Sequence, residues 1–347
     1  MAATEEITRE LPALLERLVR REEVGEEGAR WLGDRMMEGA LSGAQMGAVL
    51  SLLRSKGETV AELAGLVASM RDHSLKVELD RPALDTCGTG GDGLGTFNIS
   101  TVAALVVAGA GVAVAKHGNR AASGRCGSAD VLEALGVRID LPPEGVAACV
   151  REAGMGFMFA LRYHPAMRHV AAPRAELGIR TVFNILGPLS NPARVPFQSL
   201  GVADPTLAGR MAGVLAHLGG ERALVFAGPS GMDELGLDGV STCWRVEAGR
   251  VVKETIDPRE LGLAPATPAE LAGGGPEANA ALALSVLHGE PGPRADVVAL
   301  NAAAGLVSAG RVRDLAAGLA LARESLASGA GMDALERLRG VSQEWRE

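Results

Sequence analysis

From the N-terminus to about Met70, apolar residues recur at helical spacing. Leu11, Leu14, Leu15, Leu18 and Val19 make one stripe, Met46, Val49, Leu50 and Leu53 a second, and Leu63, Leu66, Val67 and Met70 a third. Ser42 with Gln45, and Thr59 with Glu62, stand at capping-box spacing just ahead of the second and third stripes. Gly39 and Gly57 separate the runs, so the pattern predicts a small bundle of short helices.

Between residues 71 and 84 the pattern changes, and short β-prone runs then alternate with helices. The strand candidates are Val112 to Ala115, Val137 to Ile139, Gly156 to Ala160, Ser199 to Val202 and Ala223 to Phe226. Between them lie Ser128 to Leu135 closed by Gly136, Pro143 to Ala153 closed by Gly154, and Pro205 to Leu218 closed by Gly219 and Gly220, each with helix start and stop signals. Such alternation predicts an α/β domain with a mostly parallel central sheet. Val240 to Thr255, turning at Ala248-Gly249, reads as a β-hairpin, and the tail from Asn279 onward returns to helix. Ligands of open α/β sheets sit at the carboxyl ends of strands, so chemistry is sought in the loops that follow them.

One such loop is the run Asp85-Thr86-Cys87-Gly88-Thr89-Gly90-Gly91-Asp92-Gly93, followed by Thr96-Phe97-Asn98-Ile99-Ser100-Thr101 and an apolar segment. Glycines let a backbone approach an anion closely, and Ser100 and Thr101 can cap a helix whose N–H groups favour negative charge. No Gly-Lys-Ser or Gly-Lys-Thr closes the run, and no Gly-x-Gly-x-x-Gly opens the helix, so neither common nucleotide fingerprint is present. A tight structural turn would use the same glycines.

The 347 residues, 47% hydrophobic, suffice for a large core and two domains. The formal net charge of −8 disfavours a broad grip on nucleic acid or an anionic membrane and points to a small-molecule partner. Cys87, Cys126, Cys149 and Cys243 form neither a Cys-x-x-Cys pair nor a Cys/His cluster, so no zinc site or disulfide framework is expected and a cytoplasmic setting is. The N-terminus lacks an apolar signal core, and the longest apolar run, Val102 to Ala115, is short and broken by Gly109 and Gly111; neither export nor membrane insertion is expected.

Three further clusters are candidates for chemistry. Lys116 to Asp130 places Lys116, Arg120 and Arg125 beside Ser123 and the helix start near Ser128, suited to a second phosphate or to a solvated basic turn. Asp233-Glu234 follows a strand on the same predicted edge; adjacent carboxylates near phosphates suit Mg²⁺, and equally a surface loop. Arg162, Arg168 and Arg174 flank a short helix from Tyr163 to Gly178, where one guanidinium can fork onto a carboxylate and His164 can cap or stack; spacing does not choose among the arginines.

Taken together, the chain resembles the anthranilate phosphoribosyltransferases. The segments that carry the resemblance are Gly88-Thr89-Gly90-Gly91-Asp92, Asn98-Ile99-Ser100-Thr101, Lys116-His117-Gly118-Asn119-Arg120, Gly127 to Glu133, His164-Pro165-Ala166-Met167, Arg174 to Gly178, Phe183 to Pro192 and Asn301-Ala302-Ala303-Ala304. The resemblance implies a small all-helical domain, residues 1–75 joined in space by about 165–185, and a larger α/β domain, residues 80–160 and 190–347, with the substrate cleft at their hinge. It implies a homodimer contacting through the helical domain, phosphoribosyl pyrophosphate (PRPP) and anthranilate as substrates, and Mg²⁺, two ions per subunit.

By the same resemblance, Gly88, Gly90, Gly91 and Asp92 hold the pyrophosphate. Thr96, Asn98, Ser100, Thr101, Lys116 and Ser128 complete the PRPP site. Ser100, Asp233 and Glu234 serve the metal, and Gly88, His117, Asn119, His164 and Arg174 line the anthranilate path. No general acid or base is implied: catalysis is electrostatic and positional. The chain departs from the family pattern at Leu161, where Pro is common, and at Ala121, Gly124 and Cys126, where Ser is frequent. Pyrimidine nucleoside phosphorylases share the architecture, but phosphorolysis does not need the Asp233-Glu234 pair. A nucleic-acid-binding paralogue is disfavoured by the net acidity.

Overall fold

The structure is a computed structural model that describes residues 2–121 and 124–346. In chain order its helices are α1 Ala2–Val19, α2 Gly25–Met37, α3 Gly43–Lys56, α4 Val60–Asp72, α5 Ile99–Gly109, α6 Ser128–Ala134, α7 Pro143–Ala153, α8 Ala160–Tyr163, α9 Arg168–Leu177, α10 Phe183–Leu186, α11 Pro205–His217, α12 Pro276–Leu287, α13 Pro293–Ser308, α14 Leu315–Ala327 and α15 Ala330–Glu344. The strands are β1 Leu84–Gly88, β2 Val114–Gly118, β3 Met155–Phe159, β4 Phe197–Gly201, β5 Arg222–Ala227, β6 Ser241–Glu247 and β7 Arg250–Ile256. The described residues divide into two compact units: 2–75 with Tyr163–Ser190, and 76–121 and 124–162 with 191–346.

The first unit is a helical bundle of α1 to α4 with α9 and α10. Both capping boxes form: the Gln45 N–H donates to Ser42 Oγ and the Ser42 N–H to Gln45 Oε1, with the same reciprocal pair between Thr59 and Glu62. Glu62 is fully buried and also accepts from the Val24 N–H at 2.9 Å and the Lys56 ammonium at 2.7 Å. Burial alone would raise its pKa, but the Lys56 ammonium and these N–H donors hold the carboxyl below its usual range. Helices α2 and α4 pack closely; a Cβ on Gly65 would stand 2.2 Å from the Glu26 carbonyl oxygen. The later segment is tied to this bundle by Arg71, which donates to the Leu189 carbonyl at 2.7 Å.

The second unit is built on a seven-stranded sheet of order β3-β2-β1-β4-β5-β6-β7. Strands β1 to β5 are parallel, while β6 and β7 run antiparallel as a hairpin through Ala248 (φ 49°) and Gly249 (φ 74°). Two consecutive positive φ angles give the primed turn that matches strand twist. Helix α5 packs against β1, β2 and β3, α13 against β1, β4 and β5, and the two helices pack on each other.

Several expected elements shift. Val137 to Ile139 is not a strand: the Val137 N–H bonds the Leu132 carbonyl and the Arg138 N–H donates to Ser342 Oγ on α15, so no ladder forms. Strand β1 takes in Asp85 to Gly88, the start of the run read as a loop; the pattern hid it because Asp85 and Thr86 are buried polar residues. Strand β2 extends past Ala115 and takes in Lys116 and His117. Ser100 and Thr101 lie within the first turn of α5 rather than capping it; the N-cap is Asn98, without a side-chain capping bond.

Candidate active site

The site is organised by a reversal in strand order. After β1 the chain adds β2 and β3 on one side, then returns to place β4 on the other, so β1 and β4 flank the switch point where open α/β sheets leave a crevice. The loops beyond their carboxyl ends are joined there: the Thr89 N–H donates to the Gly201 carbonyl at 3.0 Å and the Ala203 N–H to Thr89 Oγ1 at 3.4 Å. Beyond Thr89 the loop takes left-handed conformations at Gly90 (φ 70°) and Gly91 (φ 76°), which a side chain would oppose.

The loop after β5 lies over the same strand ends. A Cβ on Gly201 would stand 1.7 Å from the Asp233 carbonyl oxygen, and one on Gly88 2.2 Å from Asp233 Oδ2. Glycine at both strand ends thus admits the acidic segment. Asp233 Oδ2 accepts from the Gly90 N–H at 2.5 Å, and Glu234 Oε1 accepts from the Ser100 N–H, in the first turn of α5, at 3.1 Å. The buried Lys116 ammonium, on β2, donates to the Thr86 carbonyl and to Ser100 Oγ. Strand, Gly loop, helix N-terminus and acidic pair converge although they are far apart in sequence.

Electrostatics mark the pair as short of positive charge. Burial, then repulsion from Asp233, pushes the Glu234 carboxyl above its usual range, against the Lys116 ammonium and the Ser100 donors. Burial followed by repulsion from Asp92 pushes the Asp233 carboxyl up as well. Two desolvated neighbouring carboxylates favour a cation between them and incoming phosphate. Among the described residues no group of three or more His, Cys, Asp or Glu converges as a metal site. Asp233, Glu234 and the Ser100 hydroxyl are the side-chain oxygen donors gathered here. That donor set fits Mg²⁺, which takes one or two carboxylates and completes its shell with water and phosphate oxygens.

Around this centre, Asn98 donates to the Cys126 carbonyl at 3.1 Å and accepts at Oδ1 from Asn279 Nδ2 at 2.8 Å. Asn279 is buried on α12 and also accepts from the Gly274 N–H. Thr96 bridges antiparallel to Ala272, so the 271–274 segment holds the approach to α5. Beneath the strand ends, Asp85 accepts from the His117 N–H at 3.1 Å and Asn191 Nδ2 at 2.9 Å. Burial pushes Asp85 up to about 6 despite Lys116 and these donors.

The second cationic cluster is differently arranged from its sequence reading. Lys116 belongs to β2 and its ammonium serves the first cluster. Arg120 is engaged with Asp130 at 2.8 Å and Glu133 at 2.5 Å and lies over the Phe159 ring. Arg125 is exposed, and α6 is only seven residues long. The loop closes on Asp130, which accepts from the Gly127 and Ala121 N–H groups, and Ser128 Oγ donates to the Asn119 carbonyl. Ser123 lies outside the described residues. His117 is buried and Leu161, beyond β3, is 66% exposed.

Arg162 falls in the second unit, and the two arginines of the helical unit are not equivalent. Arg168 is exposed, whereas Arg174 on α9 is half-buried, 5.6 Å above the Phe183 ring, with Nη2 3.4 Å from Asn184 Oδ1. Its burial lowers the guanidinium pKa, which marks a desolvated cation suited to a carboxylate. His164 is buried, and desolvation takes its imidazole down to about 4 against the hydrogen bonds it makes to the backbone of Ser190 and Met70.

Gly201 and Asn279 were not among the sequence candidates, while Asn191 and Asn301 lie in segments that carry the resemblance but were given no role in the site. Asn279 and Asn301 carry a faint signal, single amides within Ala-rich helices, but their partners are 181 and 66 residues away.

An open parallel sheet with a Gly loop, a helix N-terminus and a carboxylate pair at its switch point defines an α/β protein built to hold a phosphorylated ligand. Residues 80–332 match the a/b domain of the glycosyl transferase family and residues 12–74 its helical bundle domain. The chain is 53% identical over 327 residues to the anthranilate phosphoribosyltransferase of Roseiflexus castenholzii, covering 94% of this chain and 96% of that one. The crystal structure of the Thermus thermophilus anthranilate phosphoribosyltransferase superposes with a TM-score of 0.90 at 48% identity, covering 95% and 99% of the two chains. The Saccharomyces cerevisiae anthranilate phosphoribosyltransferase in complex with PRPP and Mg gives 0.88 at 27% identity, covering 96% and 98%. The chain belongs to the anthranilate phosphoribosyltransferases of the glycosyl transferase family.

Proposed function

We propose that this chain transfers the phosphoribosyl group of PRPP to the amine of anthranilate, releasing pyrophosphate, as a step of tryptophan biosynthesis. The observation that carries the reading is the convergence of the Gly88–Asp92 loop, the first turn of α5 and the Asp233-Glu234 pair at the β1/β4 switch point. The arylamine is neutral at pH 7 and carries its own lone pair, so no strong base is needed for attack. The N–C1 bond forms as the C1–O bond to pyrophosphate breaks, and the amine proton is released to solvent.

In this reading Gly88, Gly90, Gly91 and Asp92 receive the departing pyrophosphate, on which negative charge develops, through backbone N–H groups. Thr96, Asn98, Ser100, Thr101 and Ser128 hold the rest of PRPP. Lys116 acts from beneath, holding Ser100 and tempering the acidic pair. Bound Mg²⁺ would supply charge neutralisation to the diphosphate. Ser100, Asp233 and Glu234 would hold it, at up to two ions per subunit. Gly88, His117, Asn119, His164 and Arg174 are assigned to anthranilate, with Arg174 forking onto its carboxylate. A homodimer through the helical bundle and a cytoplasmic setting complete the reading. No helix among the described residues is long and apolar enough to cross a membrane.

The test follows anthranilate fluorescence in the presence of PRPP and Mg²⁺. Loss of signal that requires both supports the reading. Phosphate-dependent cleavage of a pyrimidine nucleoside, with anthranilate untouched, would replace it with phosphorolysis.

A further inference from the structure

The acidic segment is irregular: residues 228–240 form neither helix nor strand. Its buried backbone groups must find partners outside a ladder. At Leu235, directly after Glu234 and fully buried, both come from one side chain. Asn301 Oδ1 accepts from the Leu235 N–H at 2.9 Å, while Asn301 Nδ2 donates to the Leu235 carbonyl at 3.0 Å and to the Val297 carbonyl, one turn back on α13, at 2.9 Å. Asn301 is 2% exposed, and its neighbours from Val297 to Ser308 are all buried.

A side-chain amide offers a donor and an acceptor side by side without titrating, the pairing a neighbouring strand would provide. Anchored to Val297, Asn301 fixes Leu235 in relation to α13. That helix packs on α5, whose Ser100 N–H meets the Glu234 carboxylate. One rigid path therefore sets the acidic pair against the helix N-terminus facing the Gly loop.

We propose that Asn301 is a positioning residue for the Asp233-Glu234 pair, setting how tightly the site takes a divalent cation together with PRPP. The inference rests on the function proposed above. Removing the amide leaves the Leu235 N–H and carbonyl buried without a partner. The segment then relaxes, and Glu234 loses its placement before the fold is lost.

The experiment is calorimetric titration of PRPP into wild type and Asn301→Ala over a series of Mg²⁺ concentrations, well below each melting temperature. The expected result is that the variant needs roughly 10-fold more Mg²⁺ or higher for half-maximal PRPP binding, the size of effect seen when groups behind metal ligands are removed. Its KM for anthranilate should be unchanged. Asn301→Ser, whose single hydroxyl cannot serve both Leu235 groups, should shift in the same direction and provides the reading if the Ala variant does not fold. A folded variant with wild-type Mg²⁺ dependence would overturn the role of Asn301. Wild type that binds no PRPP at any Mg²⁺ concentration would instead overturn the functional reading beneath it.

Discussion

The Gly90 backbone N–H and the Asp233 carboxylate meet at 2.5 Å across 143 residues of sequence. The Gly90 N–H offsets part of the cost that burial and Asp92 impose on the Asp233 carboxylate. It also ties the acidic segment to the Gly loop. Gly loop and acidic pair are thus one structure, and changes at either should be felt at both.

That coupling separates two glycine substitutions. Gly201→Ala drives a Cβ into the Asp233 carbonyl and should cost about 1–3 kcal/mol or more in stability, as overpacking does, with a large loss of turnover. Gly90→Ala meets nothing within 4 Å and bears only the strain of φ 70°, about 1 kcal/mol. Chemical denaturation of both variants checks the order. Equal losses would mean that close approach of the acidic segment does not decide the identity of residue 201.

Arg174→Ala should raise the KM for anthranilate roughly 10- to 100-fold, the equivalent of one charge-assisted hydrogen bond, with kcat much less affected. Arg174→Lys should restore little, because an ammonium cannot reproduce the planar fork over Phe183. Initial rates at saturating PRPP make the comparison. An unchanged KM for anthranilate in the Ala variant removes Arg174 from the site.

The helical unit should carry an acid-sensitive stability. The His164 imidazole titrates at about 4 in the fold against its ordinary 6.5, so between these values the unfolded chain binds a proton that the folded chain does not. Stability present above pH 6.5 is therefore lost as pH falls toward 4, by up to about 3 kcal/mol. His164→Gln cannot titrate, and its melting temperature should fall less than that of wild type between pH 7 and pH 4.5. Parallel curves for the two proteins would assign the acid limb to other groups.

Where structure followed local pattern, it was legible in the sequence. The Ser42 and Thr59 capping boxes form as their spacing demands, and α7 runs from Pro143 to Ala153 as its proline start and glycine stop require. The parallel sheet followed from alternation, and the acidic pair's place on the strand-end edge from the position of β5. Where pattern and tertiary context conflict, context decided. Asp85 and Thr86 look unlike a central strand, yet β1 buries them because Asn191, the His117 N–H and Lys116 satisfy their polar atoms. Val137 to Ile139 has strand composition, but the Leu132 carbonyl takes the Val137 N–H and Ser342 on α15 the Arg138 N–H. The amides of Asn279 and Asn301 reach Asn98 and Leu235, which no local window contains, so those roles needed the fold.

The most direct measurement is the rate of anthranilate fluorescence loss with PRPP, titrated with Mg²⁺, for wild type and Glu234→Gln. Removing one carboxylate charge keeps the side-chain shape and relieves repulsion with Asp233, so the variant should fold at least as well as wild type. Wild type should show a saturable requirement for Mg²⁺, and the variant should turn over at least about 100-fold more slowly at every concentration. Turnover by Glu234→Gln at the wild-type rate across the Mg²⁺ range would contradict a clamp formed by the Gly loop and the acidic pair.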